Sequence, residues 1–164
     1  MSQADGAAIA ASLRQAVDEG LALILSVPEP RTASRRGETQ WSVREVVGHL
    51  IDSACNNHRR FILNQADGPM IIDPYDQDVW VRGNRYNDRP AAELAALWAV
   101  YNRHLAHVIE RMPPAVLNAG RGPIASFGFD FIQTTDTSAT LGHLAEDYVG
   151  HLRHHLDQIR DLLG

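Results

Sequence analysis

Two histidines that lie one helical turn apart, His151 and His155, belong to the last amphipathic stretch of the chain, TLGHLAEDYVGHLRHHLDQIRDLL. Apolar residues recur there every three or four positions, which predicts a helix over 140–163 with one buried stripe. The two imidazoles fall within that stripe, and side chains four residues apart on a helix can share one metal ion. The pair alone is weak evidence in a chain with eight histidines, so a third inward-facing ligand is needed.

His49 is the candidate for that third ligand. It lies in TQWSVREVVGHLIDSACNNHRRFILNQADG, where Ser42 followed by Glu45 is a capping-box pattern that predicts a helix start near Ser42. The Asp-Gly-Pro sequence at 67–69 predicts the helix end. The apolar stripe of this helix places His49 on the face that looks toward the core. If this helix faces the last one, three neutral imidazoles surround a divalent cation and leave a position for water or substrate, as in catalytic sites.

A cation held in this way lowers the pKa of bound water toward neutrality, or holds a thiolate or enolate oxygen as a Lewis acid. Ligation by nitrogen alone suits Zn, Ni, Fe(II) or Co, and the ligand set does not choose among these metals. The alternative is that the three histidines are core residues whose ring nitrogens bond to backbone carbonyls or carboxylates. Spacing alone does not decide between the two interpretations.

Further side chains are candidates for catalysis and substrate binding. Asp52 follows His49 by three residues and could be a catalytic group, a fourth ligand or an acceptor for an imidazole N–H; a solvated helix carboxylate is the alternative. The candidate walls of a substrate pocket are Glu45, Tyr75, Asp76, Trp80, His143 and Tyr148. For Glu45 the alternative is helix capping, for the aromatic residues it is core packing, and for His143 it is an exposed position.

Four amphipathic segments would position these residues. Helical spacing runs over 7–26, from Ser42 onward, over 91–112 and over 140–163, and prolines follow the first and third segments. A long crossover over 70–89 carries a short helical piece at 76–81, and 117–138 predicts a short hairpin or a loop. Four helices with two long connections predict an all-α four-helix bundle, formed as a single domain over 1–164.

Composition excludes several classes of protein. The chain has 164 residues, 45% of them hydrophobic and 21% charged, and no apolar run reaches the ~18 residues that a membrane span needs. The net charge is −5 and basic residues are scattered, so we expect no nucleic-acid partner. One cysteine excludes an internal disulfide, and the N-terminus lacks a secretory pattern; both favour the cytoplasm. The zinc-protease HExxH, di-iron ExxH, phosphate-loop and nucleophile-elbow motifs are absent.

Three segments, WSVREVVGHL, PYDQDVW and YVGHLRHHLDQI, together resemble the DinB/YfiT-like superfamily of metalloenzymes over most of the chain from Trp41 onward. The family pattern is a histidine in the second helix after a Trp and a capping residue, then H-x-x-x-H in the last helix. The resemblance implies a four-helix bundle with up-down-down-up topology, often dimeric. It also implies a divalent metal, Zn, Ni or Fe, bound through His49, His151 and His155.

Characterised members of that superfamily include S-transferases that use low-molecular-weight thiols such as bacillithiol or mycothiol, and a mycothiol-dependent maleylpyruvate isomerase. The resemblance therefore implies a metal-dependent enzyme that holds a thiol cosubstrate as its thiolate for transfer to a small electrophile. One alternative is a metal-dependent hydrolase of a small substrate. Another is a non-catalytic stress-response binding protein whose histidines only stabilise the bundle. In each case we expect a homodimer.

Overall fold

The computed structural model describes residues 3–121 and 139–163, and within those ranges the chain is helical with no β-strand. One 3₁₀ turn, Tyr86–Asp88, precedes the third long helix. The helices in chain order are α1 (Gly6–Ser26), α2 (Glu29–Thr32), α3 (Val43–Leu63), α4 (Gln77–Asn84), α5 (Ala91–Arg111), α6 (Pro114–Leu117) and α7 (Leu141–Leu163). None of the described helices has the combination of length and apolarity that crossing a bilayer requires.

The direction of α1 relative to α5 follows from two ion pairs. Arg14 pairs with Glu110 at 2.7 Å, whereas Asp18, further along α1, pairs with Arg103, which is earlier on α5, at 2.8 Å. The two helices are therefore antiparallel. They also share the core, where Trp98 of α5 is fully buried.

Ring contacts set the direction of α3 relative to α7. The ring of His49 lies 5.2 Å from that of His151, and the ring of Phe61, later on α3, lies 5.8 Å from that of Tyr148, earlier on α7. These two helices are therefore also antiparallel. This pairing brings the middle of α3 against the middle of α7.

Parallel packing of α1 and α7 completes the bundle. Arg153 bonds to Ser12 at 3.1 Å, and a Cβ at Gly20 would lie 2.8 Å from Leu156, so both helices advance together. Gly20 allows this close approach because it has no side chain. With α1 pointing up, α3 and α5 point down and α7 points up, so the predicted four-helix bundle with up-down-down-up topology is confirmed.

The start of α3 is fixed by the predicted capping box. The Ser42 hydroxyl accepts from the Glu45 N–H at 3.2 Å, and the Glu45 carboxylate accepts from the Ser42 N–H at 2.9 Å. Each bond satisfies an amide that the first helical turn would otherwise leave without a partner. The helix therefore begins at Val43, and His49 faces the interior, where it is 2% exposed.

Other boundaries differ from the prediction. The α3 helix ends at Leu63, before the predicted Asp-Gly-Pro stop, because the Asn64 side chain exchanges two hydrogen bonds with the backbone of Ile71, at 2.6 and 2.8 Å. The short helical piece in the crossover extends to Asn84, and the four-residue helices α2 and α6 were not predicted. Most of the predicted hairpin or loop over 117–138 lies outside the described residues.

Candidate metal centre

Three histidine side chains from two antiparallel helices meet inside the bundle. The Nε2 atoms of His49 on α3 and His151 on α7 are 3.2 Å apart. The His155 ring centroid lies 4.6 Å from each of the other two. One candidate ligand atom from each residue lies within 4.8 Å of the others, and among the described residues no other group of three or more His, Cys, Asp or Glu has this proximity.

The separation of the His49 and His151 nitrogens fits two ligands of a tetrahedral metal ion. A zinc ion about 2.0–2.1 Å from two nitrogens, at a tetrahedral angle, separates them by roughly 3.3 Å, close to the observed Nε2 separation. His155 Nδ1 lies 2.8 Å from the Gln158 side-chain oxygen. Because that oxygen can only accept, Nδ1 carries the proton and Nε2 keeps its lone pair. The buried Nδ1 of His49 has no hydrogen-bond partner among the described residues, so no carbonyl or carboxylate there explains its burial.

The electrostatics of the cluster favour cation binding. Burial, with a smaller contribution from the nearby His155, lowers the pKa of His49 to about 3. Burial also lowers the pKa of His151 to about 3, with smaller contributions from the other histidines and from Arg60. Burial lowers the pKa of His155 in the same direction. All three rings are therefore neutral at physiological pH, which is the form that binds a metal.

Trp41 covers one side of the cluster. Its ring centroid is 5.0 Å from that of His49, and it lies just before the α3 cap. Trp41 also lines a groove of about 580 Å³, together with Glu45, Tyr86 and mainly charged side chains. Spacing along the chain gave no reason to place Trp41 on an imidazole, because a residue preceding a helix has no helical phase.

Glu45, a predicted pocket residue, lies on that groove but is engaged in structure. It is 5% exposed, caps α3, and accepts from Arg35 Nε at 2.8 Å. Burial raises the pKa of Glu45, while Arg35 and Ser42 lower it, and the balance lies below the ordinary value. Glu45 is therefore an ionised structural carboxylate at the edge of the groove.

Asp52, the predicted catalytic residue, is buried one turn after His49. Its Oδ1 accepts from the Tyr86 hydroxyl at 2.6 Å and from Asn84 Nδ2 at 3.0 Å. Its Oδ2 is buried without a hydrogen-bond partner in the described part of the chain. Burial raises the pKa of Asp52 to about 6, although the Tyr86 hydrogen bond opposes this shift. The group of converging ligand atoms does not include this carboxylate.

A glycine in α3 allows Tyr86 to reach Asp52. A Cβ at Gly48 would lie 2.0 Å from Cδ2 of the Tyr86 ring, so the ring packs directly on the helix backbone. Any larger residue at position 48 would displace the ring. A glycine inside an otherwise regular helix, next to a candidate ligand, was the only signal of this contact in the sequence.

The crossover residues predicted to wall the pocket are close to one another. The rings of Tyr75 and Trp80, both half-buried, meet edge to face at 5.5 Å. Asp76 is exposed, and its carboxylate accepts from the N–H groups of Asp78 and Val79 at 3.0 Å, which caps α4. None of the three lines the groove beside Trp41.

The two remaining predicted pocket residues lie on α7. Tyr148 is buried in the core, and its hydroxyl bonds to Asn102 Oδ1 at 2.5 Å, so it is a packing residue that joins α7 to α5. His143 is half-buried, two turns before His151, and its backbone N–H bonds to Thr140 Oγ1 at 3.1 Å. Neither residue lines the groove.

A family comparison agrees with this architecture. The model of the DinB superfamily matches residues 11–159, which is nearly the whole chain. The chain belongs to the DinB superfamily. Membership in the family, inferred from the histidine pattern and the tryptophan before α3, is confirmed.

Two curated proteins similar to this chain carry a functional description. The chain is 30% identical over 156 residues to the Bacillus subtilis (strain 168) protein named "Putative metal-dependent hydrolase YfiT", covering 94% of this chain and 78% of that one. It is 26% identical over 122 residues to OB0782 of Oceanobacillus iheyensis, which has the same functional name, covering 74% of this chain and 64% of that one.

A solved structure supports the fold. YfiT from Bacillus subtilis, described as having an unusual four-helix bundle topology, superposes with a TM-score of 0.79 and 20% sequence identity. The superposition covers 99% of this chain and 87% of the YfiT chain. The arrangement of helices is therefore that of the solved YfiT structure.

Proposed function

We propose that this DinB-superfamily protein is a metal-dependent hydrolase of a small substrate, with a divalent metal bound by His49, His151 and His155. The observation that carries the proposal is the convergence of three neutral imidazoles from α3 and α7, one of them buried and two half-buried. The names of two relatives support hydrolysis rather than thiol transfer. Use of a thiol cosubstrate stays a prediction of the family resemblance.

Each residue around the centre has a proposed task. When bound, a divalent cation supplies Lewis-acid activation of water and of a substrate oxygen. Three protein ligands leave room for a substrate or water in the coordination sphere. Gln158 orients the His155 ring through its Nδ1–H, and Trp41 excludes water from one side of His49. These residues hold the centre without carrying charge themselves.

Asp52 is the proposed general base. Tyr86 and Asn84 fix one of its oxygens, so the other is oriented and accepts a proton from the attacking water. A base is most effective when its pKa lies near the working pH, and that of Asp52 is raised to about 6. Asp52→Asn should lower kcat by about 10²–10⁴-fold and remove the acidic limb of the pH profile near pH 6. Its metal content should remain unchanged.

The decisive experiment uses untagged protein. Elemental analysis should find a divalent metal in the wild type, and a panel of small esters, amides and phosphoesters should be hydrolysed without added thiol. His151→Ala should lose both metal and turnover, whereas His107→Ala, which changes an exposed histidine on α5, should keep both. Turnover that survives metal removal would refute the proposal, and turnover that requires a thiol would favour thiol transfer.

A further inference from the structure

Arg60 lies on the same face of α3 as His49. It follows His49 by eleven residues, which is three turns and about 20° of rotation, or roughly 16 Å along the helix axis. Long side chains on a helix lean toward its N-terminus, so the guanidinium of Arg60 extends back toward His49. Arg60 also lies within electrostatic range of His151 across the interior.

The guanidinium of Arg60 is half-buried and bonded to neutral acceptors. Its Nη2 donates to the Asp73 carbonyl at 2.7 Å, and its Nη1 donates to Asn57 Oδ1 at 3.3 Å. The Asp73 carboxylate pairs with the neighbouring Arg59 instead. No carboxylate of the described residues lies within 4.0 Å of the Arg60 guanidinium nitrogens.

Other arginines in the described ranges are either paired with a carboxylate or exposed to solvent. Those that are not exposed each have a carboxylate within 4.0 Å, in the pairs Arg14–Glu110, Arg44–Glu29 and Arg121–Asp67. The arginines without such a pair are exposed, apart from Arg60. Burial lowers the pKa of Arg60 and the neighbouring Arg59 adds to this shift, while Tyr75 and the more distant Asp73 carboxylate offset it only in part. A half-buried charge is expensive unless an opposite charge offsets it.

We propose that Arg60 binds an oxyanion group, a carboxylate or a phosphate, of the substrate whose reacting bond lies at the three histidines. The inference rests on the proposed function and adds the class of substrate, which is a small anion. The planar guanidinium matches either oxyanion through two parallel hydrogen bonds. His49 and Arg60 are well separated along α3. The anionic group and the reacting bond therefore lie at opposite ends of the substrate, and each end has its own binding group.

If Arg60 had a purely structural role, loss of its charge alone would not change anion binding. Its hydrogen bond to the Asp73 carbonyl anchors the crossover to α3 and needs a donor but no charge. Arg60→Gln keeps a donor and removes the charge, and Arg60→Lys keeps the charge. Arg111→Gln, at an exposed position in the last turn of α5, is the matched control for the loss of one positive charge.

The test is calorimetric titration of metal-free and zinc-loaded protein with inorganic phosphate, with succinate, and with neutral succinamide. Wild type and Arg111→Gln should bind at least one of the two anions and not succinamide. Arg60→Gln should lose about tenfold or more in affinity, as expected for a charge-assisted hydrogen bond, and Arg60→Lys should lie between. Unchanged anion affinity in Arg60→Gln, or no anion binding by wild type, would overturn the inference.

A measurement on the wild type alone tests the inference even when a variant does not fold. Addition of the bound anion should shift the NMR signal of the Arg60 Nε–H group, and a signal that does not move would overturn the inference. Failure of the metal proposal is distinguishable: protein that binds no zinc but binds anions through Arg60 refutes only the proposed function. Protein that binds zinc at the histidines and binds anions equally without Arg60 refutes only the anion site.

Discussion

Acidification should destabilise the metal-free protein because two histidines, one buried and one half-buried, are held in the neutral form. His49 and His151 have pKa values near 6.5 in the unfolded chain and about 3 in the folded protein. Between these values the unfolded state binds more protons, so the free energy of unfolding falls as the pH falls, by up to about 1.4 kcal/mol per pH unit and histidine. From about pH 7 to about pH 5.5 each histidine contributes a loss of roughly 1.3 kcal/mol.

Asp52 acts in the opposite direction over the same range. Its pKa is raised from 3.8 to about 6 in the folded protein, so there the folded state binds more protons than the unfolded chain. Protonation of Asp52 between about pH 7 and about pH 5.5 therefore restores roughly 0.8 kcal/mol. His49, His151 and Asp52 together predict that the free energy of unfolding falls by about 2 kcal/mol. His155, whose pKa is also lowered, adds to this loss.

Urea unfolding of chelator-treated, untagged protein at the two pH values measures this change. The double variant His49→Leu with His151→Leu should lose most of the destabilisation and keep the opposing contributions of His155 and Asp52, so its free energy of unfolding should fall much less than that of the wild type on acidification. His107→Gln, at an exposed position, should behave like the wild type. A wild-type free energy of unfolding that stays constant, or a double variant whose free energy of unfolding falls equally, would refute the assignment of two neutral imidazoles.

Three further predictions concern packing and capping. Gly48→Ala would force a methyl group into the Tyr86 ring and should lower the free energy of unfolding by about 1–3 kcal/mol. Gly83→Ala meets open space and should leave the stability unchanged or raise it, so equal urea midpoints for the two variants would contradict this difference. Tyr148→Phe should cost about 1–3 kcal/mol by removing the buried partner of Asn102, and a loss well below that range in the same assay would argue against the hydrogen bond. Ser42→Ala should cost about 1 kcal/mol through the α3 cap, so an unchanged melting temperature would count against the capping box.

Local sequence patterns were sufficient to predict the long helices. Apolar periodicity placed α1, α5 and α7 within one residue of their observed bounds, and the capping box located the start of α3 because both of its bonds are local. The end of α3 was predicted too late because it depends on Asn64 and Ile71, which meet only after the chain turns back. The helices α2 and α6 have four residues each, too few to show a period.

The candidate site was only partly predictable for the same reason. Helical phase placed His49, His151 and His155 on inward faces, and the family resemblance suggested that these faces meet. Contacts made by residues outside the long helices, such as Trp41 on His49 and Tyr86 on Asp52, follow no helical period. They could be identified only in the folded structure. The environment of Arg60 could be recognised only after the neighbouring carboxylates had been placed.

The order of biosynthesis limits when this centre can form. His49 and His151 are 102 residues apart, and α7 is made after the other described helices. Proteins are synthesised from the N-terminus, so α1, α3 and α5 can begin to associate while only one imidazole of the three is present. The proposed metal would therefore be taken up late, after α7 has docked, and a chain interrupted before that helix would leave the ribosome with only one of the three candidate ligands.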